Sequence, residues 1–338
     1  MAVTINDIAK AAGVSPSTVS RVISNNPRIS SATREKVLKI MKEMDYHPNV
    51  IARSLVNKST GIVAVLIPSN TEKAFQHPFY PEILRGITSA AYKNQYKILI
   101  SGASDIKEEK AIIRDFTRNG LVEGIILLTS RVKDSAIAAL KKIDFPFVVV
   151  GRPVNENEVN WVDNNNFDIS YDLTSYLISQ GHNKIAFIGV SSQYIVTLDR
   201  LEGYKKALQD NNIAVNENLI VEGKFMNDTG DNLMQRIFER GEKPTAIIAC
   251  DDFLAFGAIK SLVEKGIKVP NDIAVAGFNN VPLCDYFTPS LTSVDVNAFD
   301  LGAKAFEMLM IYIKSHVKSF NRAIIPARLV IRNSTLRG

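Results

Sequence analysis

Apolar positions near the start of the chain recur at helical spacing in two short bursts. Ile5, Ile8, Ala9 and Ala12 fall on one face, and Val19 and Val22 form a narrower second stripe. The residues between them are start and stop signals. Thr4 and Asp7 have the spacing of a capping box, in which hydroxyl and carboxylate each take a backbone N–H of the other residue. Gly13 ends the first helix, because glycine enters the left-handed region cheaply. Ser15 followed by Pro16 opens a second, an N-cap with proline at the first helical position. Asn25-Asn26-Pro27 is a loop. Ser30 or Ser31 caps a third helix to about Met44, with Val37, Leu38, Met41 and Met44 expected inward and Tyr46 closing the core. His47-Pro48 breaks it, since the residue before proline avoids the α region.

Two short helices joined by a tight turn make a helix-turn-helix, whose second helix enters the major groove by its first turn. Short Ser and Thr side chains there let the backbone approach DNA, and Arg21 can reach base edge or phosphate. By spacing alone an ordinary αα-hairpin fits as well. Charge changes that picture. Residues 1–58 carry nine Lys and Arg against four Asp and Glu, a net of +5 that equals the net charge of the whole chain. The positive excess therefore sits with these helices, where phosphate contacts release counterions. Residues 49–58 could form a short helix capped by Asn49, too short to stand alone. They are either a linker or a segment that folds on DNA, with Leu55 as an apolar wedge in the minor groove.

From Gly61 the periodicity changes. Ile62–Ile67, Lys97–Ser101, Gly124–Leu128 and Phe147–Val150 are short apolar runs, with helical patterns near 80–94, 107–119 and 134–142. The rhythm returns with Ile185–Gly189, a strand near Leu219–Glu222, Ala246–Ala249 and Ile273–Ala276. Continuous apolar strands alternating with helices predict parallel sheets covered on both faces, here two doubly wound lobes.

Open α/β sheets bind ligands beyond the carboxyl ends of their strands. The residues there are Phe79 and Tyr80, Arg200, Phe225, Asp251 and Asn279. Aromatic faces with charged and amide side chains suit a sugar, whose CH faces stack on rings and whose hydroxyls need donors and acceptors. Each residue also has a plainer use. Phe79 and Phe225 could be core. Asp251 could cap the next helix, although Asp252 is the better cap. Arg200 could pair with Asp199 or Glu202.

Other classes find little support. No apolar run approaches the roughly 20 residues that span a bilayer, and the first residues have no basic-then-apolar signal pattern. Cys250 and Cys284 make no disulfide framework, which fits a cytoplasmic protein with free thiols. No G-x-G-x-x-G follows a strand, and there is no P-loop and no G-x-S-x-G elbow. His47, His77, His182 and His316 lack metal-ligand spacing. Neither an enzyme, a metal nor another cofactor is expected.

TINDIAKAAGVSPSTVSRVI and SSATREKVLKIMKEMDYHPNVIARSL resemble the headpiece and hinge of the LacI/GalR family of bacterial transcription regulators. The core resembles the family's type I periplasmic-binding-protein-like domain. FYPEILRGI, VDNNNFD, GHNKIAFIG, DRLEGYKKAL, ACDDFLAFGA, VPNDIAVAGFNN and TPSLTSVDVN follow the family's order. The resemblance implies a homodimer on a palindromic operator, with Thr4, Ser15, Pro16, Ser17, Thr18, Ser20, Arg21 and Asn25 facing DNA. Leu55 takes the place of the intercalating hinge leucine, beside Ala52. It implies a headpiece over 1–46, a hinge over 47–60 and an effector-binding, dimerising core over 61–338. The core chain would cross between lobes three times, giving an N-lobe of about 61–162 with 293–322 and a C-lobe of about 163–292 with 323–338. With no heptad tail after the last strand, a dimer is expected rather than a tetramer.

Arg200, Asp251 and Asn279 match the family's effector contacts most firmly, and Phe225 less so. HPFYPEILRGI, IVTLDRLEGY and HPNVIARSLVNKST are similar to maltose-operon repressors of Gram-positive bacteria, which implies maltose or a short maltodextrin as effector. Asn279 and Asn280 depart from the acidic residues that many members carry there. Two rivals share the core. One is a catabolite-control regulator whose corepressor is a phosphorylated carrier protein. The other is a sugar-binding transport component, which would need an export signal and no headpiece.

Overall fold

The computed structural model describes residues 3–24, 26–46, 59–68, 71–224, 228–315 and 320–336. Of the predicted DNA and effector positions, Asn25, Ala52, Leu55 and Phe225 lie outside them, as does the hinge segment 47–58.

The headpiece holds α1 (Ile5–Ala12), α2 (Pro16–Ile23) and α3 (Ser31–Glu43). Its capping signals act as expected. The Thr4 N–H donates to Asp7 Oδ2 at 2.9 Å, and the Asp7 N–H reaches back to Thr4 Oγ1 at 3.4 Å. Gly13 sits at φ 64°. Ile8, Ala9, Ala12, Val19, Val22, Val37 and Met41 form the small core, with Met44 and Tyr46 packed partly against it. Leu38 corrects the expectation: it is 48% exposed. One residue beyond Val37 it is rotated by about 100° around the helix, so both cannot face inward.

The core domain carries two six-stranded sheets. The first takes β1 (Ile62–Ile67), β2 (Lys97–Gly102), β3 (Gly124–Leu127), β4 (Phe147–Val150), β5 (Asn160–Asp163) and β11 (Arg322–Ile324). The second takes β6 (Ile185–Val190), β7 (Ile220–Gly223), β8 (Ala246–Ala249), β9 (Ala274–Phe278), β10 (Thr292–Asp295) and β12 (Arg328–Val330). Their orders are β11-β5-β4-β3-β1-β2 and β12-β10-β9-β8-β6-β7. Every ladder is parallel except β10 with β12. The parallel strands are joined by helices: α4 (Thr71–Gln76), α5 (Phe79–Lys93), α6 (Ile106–Arg118) and α7 (Ser135–Lys142) in the first lobe, then α8 (Asn166–Ser179), α9 (Ile195–Asp210), α10 (Gly230–Glu239) and α11 (Asp252–Glu264) in the second. A short α12 (Leu283–Tyr286) and the long α13 (Ala298–Ser315) complete the set. α13 returns to the first lobe and lies on α5 so closely that a Cβ on Gly86 would stand 2.0 Å from the Phe299 carbonyl oxygen.

The chain passes between the sheets after β5, after β10 and after β11. All three expected breaks therefore move, and the one at 162/163 falls inside β5, where Val162 pairs with Val150 and Asp163 with Ile324. The one at 292/293 falls inside β10, where Ser293, Val294 and Asp295 pair with β12. The one at 322/323 falls inside β11, where Ile324 pairs with Asp163. Ladder hydrogen bonds hold each strand in one sheet to its end, a constraint that motif order does not carry.

Candidate ligand cavity and nucleic-acid interface

The carboxyl ends of both sheets open on one cavity of about 490 Å³ between the lobes. Phe79, Tyr80, Arg200, Asp251 and Asn279 all line it. They arrive from different elements: the start of α5, the second turn of α9, the loop after β8 and the loop after β9.

Arg200 is 6% exposed. Its Nε donates to Asn166 Oδ1 at 2.9 Å and its Nη1 to the Cys250 carbonyl at 2.7 Å. The guanidinium carbon lies 4.0 Å from the centre of the Phe278 ring. Burial lowers its pKa, against the pull of Asp163, Asp251 and Asp252. A guanidinium has five donors, and these two bonds leave three unused on a residue that lines the cavity. The expected surface pairing with Asp199 is not formed, because Asp199 takes Arg152 Nε at 3.0 Å instead. Asp163, at the end of β5, accepts from the Arg152 and Asn164 N–H groups and from Asn166 Nδ2. Burial still pushes its pKa up to about 6.

Asp251 has two uses at once. Its Oδ1 accepts from the Phe253 N–H at 2.7 Å and caps α11, the place expected for Asp252. Its Oδ2 meets His77 Nε2 at 2.7 Å and accepts from Asn279 Nδ2 at 2.9 Å. Asp252 turns inward instead. It accepts from Ser293 Oγ and the Val281 N–H, and burial raises its pKa to about 7. Asn279 sits at φ 101°, a region asparagine tolerates better than most side chains. Its amide donates to Asp251 where a carboxylate would repel it. Asn280 looks away, its Oδ1 accepting from Arg332 at 2.9 Å.

His77 has no metal-ligand spacing along the chain. In three dimensions it crosses the cleft from the first lobe to Asp251 in the second and lies 5.1 Å, centre to centre, from Phe253. Only the fold could have revealed the pair, since the partners are 174 residues apart. Burial pulls the imidazole pKa down, but the Asp251 carboxylate outweighs it and the net shift is upward. Burial likewise pushes Asp251 up, and His77 brings it below the ordinary carboxylate value. A raised histidine pKa stabilises the fold below the ordinary value near 6.5 and loses that contribution as pH rises through the folded value. Asp251, being depressed, withdraws its contribution only well into acid. The melting temperature is therefore expected to fall by about 2–4 °C as pH rises from 6 to 8.5, the size of a charge-assisted bond lost. His77→Asn should make the fall smaller, and the part that remains belongs to Asp252, whose buried carboxyl, pushed up to about 7, also loses its proton in this range. Equal slopes for variant and parent in a pH series of thermal melts would remove the pair from the account.

On the headpiece, Ser15, Pro16, Ser17 and Arg21 are exposed along one side of α2, with Thr18 and Ser20 half-buried. Ser15 Oγ caps α2 by accepting from the Thr18 N–H at 3.2 Å, and it lies 2.8 Å from Ser17 Oγ. Thr4 likewise spends its hydroxyl on Asp7 at 2.7 Å. These two are committed to holding the helix ends, while Ser17 and Arg21 stand outermost.

A helix-turn-helix headpiece joined to a two-lobed core with a cleft defines a DNA-binding regulator under ligand control. Residues 4–49 match the model of the bacterial regulatory proteins of the lacI family, and residues 174–335 match a periplasmic-binding-protein-like domain. The chain is 37% identical to the HTH-type transcriptional regulator MalR of Streptococcus pneumoniae over 92% of each chain. Among solved structures it is similar to the transcriptional regulator CelR–cellobiose complex (29% identity, TM-score 0.78, covering 98% of this chain and 99% of that one). It is also similar to the lac repressor dimer bound to operator and the anti-inducer ONPF (25% identity, TM-score 0.85, 100% of both chains). The protein belongs to the LacI family and is a transcriptional regulator, not an enzyme. No helix among the described residues is long and apolar enough to cross a membrane.

Proposed function

We propose that the chain is a repressor that binds a palindromic operator as a homodimer and changes its operator affinity when a small sugar enters the inter-lobe cavity, with maltose or a short maltodextrin the favoured effector. The headpiece is residues 1–46, the hinge 47–60 and the core 61–338, with Ala52 and Leu55 meeting the minor groove. The observation that carries the sugar reading is the lining of the cavity. Arg200 and Asp251 offer charge-assisted bonds and Asn279 a neutral amide, while Phe79, Tyr80 and Phe253 offer ring faces. The solved lac repressor dimer on operator and the CelR complex with cellobiose support the two halves of the reading. The resemblance of HPFYPEILRGI and IVTLDRLEGY to maltose-operon repressors supports maltose over other sugars.

The mechanism is linkage between two sites. His77–Asp251 and Arg152–Asp199 join the lobes, and a sugar that engages Asp251 and Arg200 alters how they close. That changes the spacing of the two N-lobes in the dimer, and with it the fit of the paired headpieces to two half-sites. A ligand shifts this equilibrium only by its difference in affinity between the two states. Fluorescence anisotropy on palindromic operators, titrated with maltose at fixed salt, tests the reading. Maltose is expected to release the DNA. Binding that ignores maltose and other sugars would favour the rival, a regulator with a phosphorylated carrier protein as corepressor. No binding to any palindrome would overturn the headpiece assignment.

A further inference from the structure

The amino ends of the first sheet hold a cluster of hydrogen bonds at the point where the chain enters the core domain. Glu123, the residue before β3, is half-buried there. Its Oε1 accepts from the Ser59 hydroxyl at 2.7 Å and from the Gly61 N–H at 2.6 Å. Its Oε2 accepts from the hydroxyl of Tyr96, just before β2, at 2.7 Å. The backbone closes the cluster: the Glu123 N–H donates to the Ile62 carbonyl at 2.9 Å, and the Lys97 N–H to the Gly61 carbonyl at 2.8 Å. Gly61 sits at φ 63°, so the chain turns sharply before β1 in a conformation that glycine adopts cheaply.

Burial pushes the Glu123 carboxyl up, but the bonds from Ser59, Tyr96 and Gly61 outweigh it and hold its pKa below the ordinary carboxylate value. The acceptor is therefore a carboxylate at neutral pH, and its bonds are charge-assisted. The strands do not need all of them. Ladder pairing of Ile62 with Lys97 and of Val63 with Gly124 already fixes β1 between β2 and β3. The bond to Ser59 lies outside the sheet, and what it fixes is the path of the chain between the core and the headpiece.

Two packed elements connect this cluster with the cavity. β3 runs from Glu123 to Leu128 and Thr129 in the cavity wall, and the next carbonyl, that of Ser130, accepts from the Ile195 N–H of the second lobe at 3.1 Å. α13 runs from Leu301, also in the cavity wall, to Phe306, whose ring meets the Tyr96 ring edge-on with 6.0 Å between centres. The two elements touch: a Cβ on Gly124 would stand 2.9 Å from Leu309 Cδ1. Close-packed interiors compress little, so such a body passes on a displacement rather than absorbing it.

We infer that Glu123 is a positioning residue for operator binding, acting through Ser59 and Gly61 and braced by Tyr96: it fixes the direction in which the chain leaves the first lobe and passes movement of that lobe to the headpiece. This rests on the repressor reading and adds to it the joint through which cavity and headpiece are coupled. Without the carboxylate the headpieces of a dimer are tethered but not aimed. Operator affinity then falls and its dependence on the cavity fades, while the cavity, at the other end of β3, keeps its ligand.

The test is anisotropy on a palindromic operator and calorimetry with maltose, both on the full chain, with thermal melts beside them. Glu123→Ala is expected to weaken operator binding by about tenfold, the size of a charge-assisted bond lost, and to bring the ratio of operator affinities without and with maltose toward one. Its maltose affinity should stay within about twofold of the parent's. Ser59→Ala, which removes one bond outside the sheet, should weaken operator binding by about threefold and leave the melting temperature unchanged. Glu123→Gln, which keeps an acceptor but not the charge, should fall between Glu123→Ala and the parent. Parent-like operator affinity in both alanine variants would overturn the inference and leave the repressor reading intact. Loss of maltose binding together with operator binding in Glu123→Ala, with Ser59→Ala matching the parent, would also overturn it, because the carboxylate would then be serving the fold. A parent that binds operator but ignores maltose would end the maltose reading, and the operator affinities of the variants would still decide on Glu123. A parent that binds no palindrome would end the repressor reading and this inference with it.

Discussion

Arg200→Ala abolishes the sugar response and leaves operator affinity in sugar-free buffer close to that of the parent: this is the largest effect expected in the core. The side chain is buried, and its guanidinium holds Asn166 Oδ1 and the Cys250 carbonyl while facing the cavity. Bonds from a charged group are each worth about 1.5–3 kcal/mol. Losing two of them to a ligand lowers affinity by at least about a hundredfold. The fold is weakened too, because the Cys250 carbonyl and Asn166 lose their partner and Asp163 loses its nearby cation. That carboxyl, already pushed up to about 6, should rise further. Arg200→Lys should not restore binding, since a point charge cannot serve two acceptors and a ligand with the planar fork of arginine. Circular dichroism, calorimetry with sugar and anisotropy on operator separate these effects. A parent-like sugar dose-response in the alanine variant would remove Arg200 from the site.

Val19→Asp is expected to abolish operator binding and leave sugar binding as it is. Val19 is fully buried, one of the seven apolar side chains whose packing holds three short helices together. A buried carboxylate without a cation costs several kcal/mol, and a core this small has little to spare. Because α2 carries Ser17 and Arg21 outward on the opposite side, losing the core loses the DNA-facing surface as a unit. The lobes have their own clusters and should keep their melting transition. Full operator affinity in this variant would mean that the headpiece is not the DNA-binding part.

Local chemistry made much of this legible in the sequence. The headpiece helices are set by caps and by proline and glycine, all within four residues of the positions they control, so Thr4, Asp7, Gly13 and Ser15 could be assigned by inspection. The inner strands of both sheets are uninterrupted apolar runs, and β1, β4 and β8 have the expected ends. The missed strands are β5, β10, β11 and β12. They are three or four residues long, and β5 and β10 bury Asn160, Asp163, Thr292 and Ser293, so no apolar pattern marks them. In the cavity, Arg200, Asp251 and Asn279 could be found because each follows a strand. His77 could not, because its significance comes from what lies opposite across the cleft, which is not written locally in the chain. The exchange of roles between Asp251 and Asp252 has the same origin: two adjacent carboxylates are equivalent as sequence, and Ser293 on β10, 41 residues away, decides which one is buried.

The central claim is that the cavity and the headpiece are coupled, and coupling is reciprocal: if sugar changes operator affinity by a factor, operator must change sugar affinity by the same factor. The measurement is therefore a four-cornered binding cycle at one salt concentration. Operator affinity is measured with and without saturating maltose, and maltose affinity with and without saturating operator. The account predicts two equal ratios of at least about tenfold, each corresponding to roughly 1.4 kcal/mol of coupling. Tight binding of both ligands with ratios of one would contradict it, because the lobes would then take up sugar without informing the headpiece.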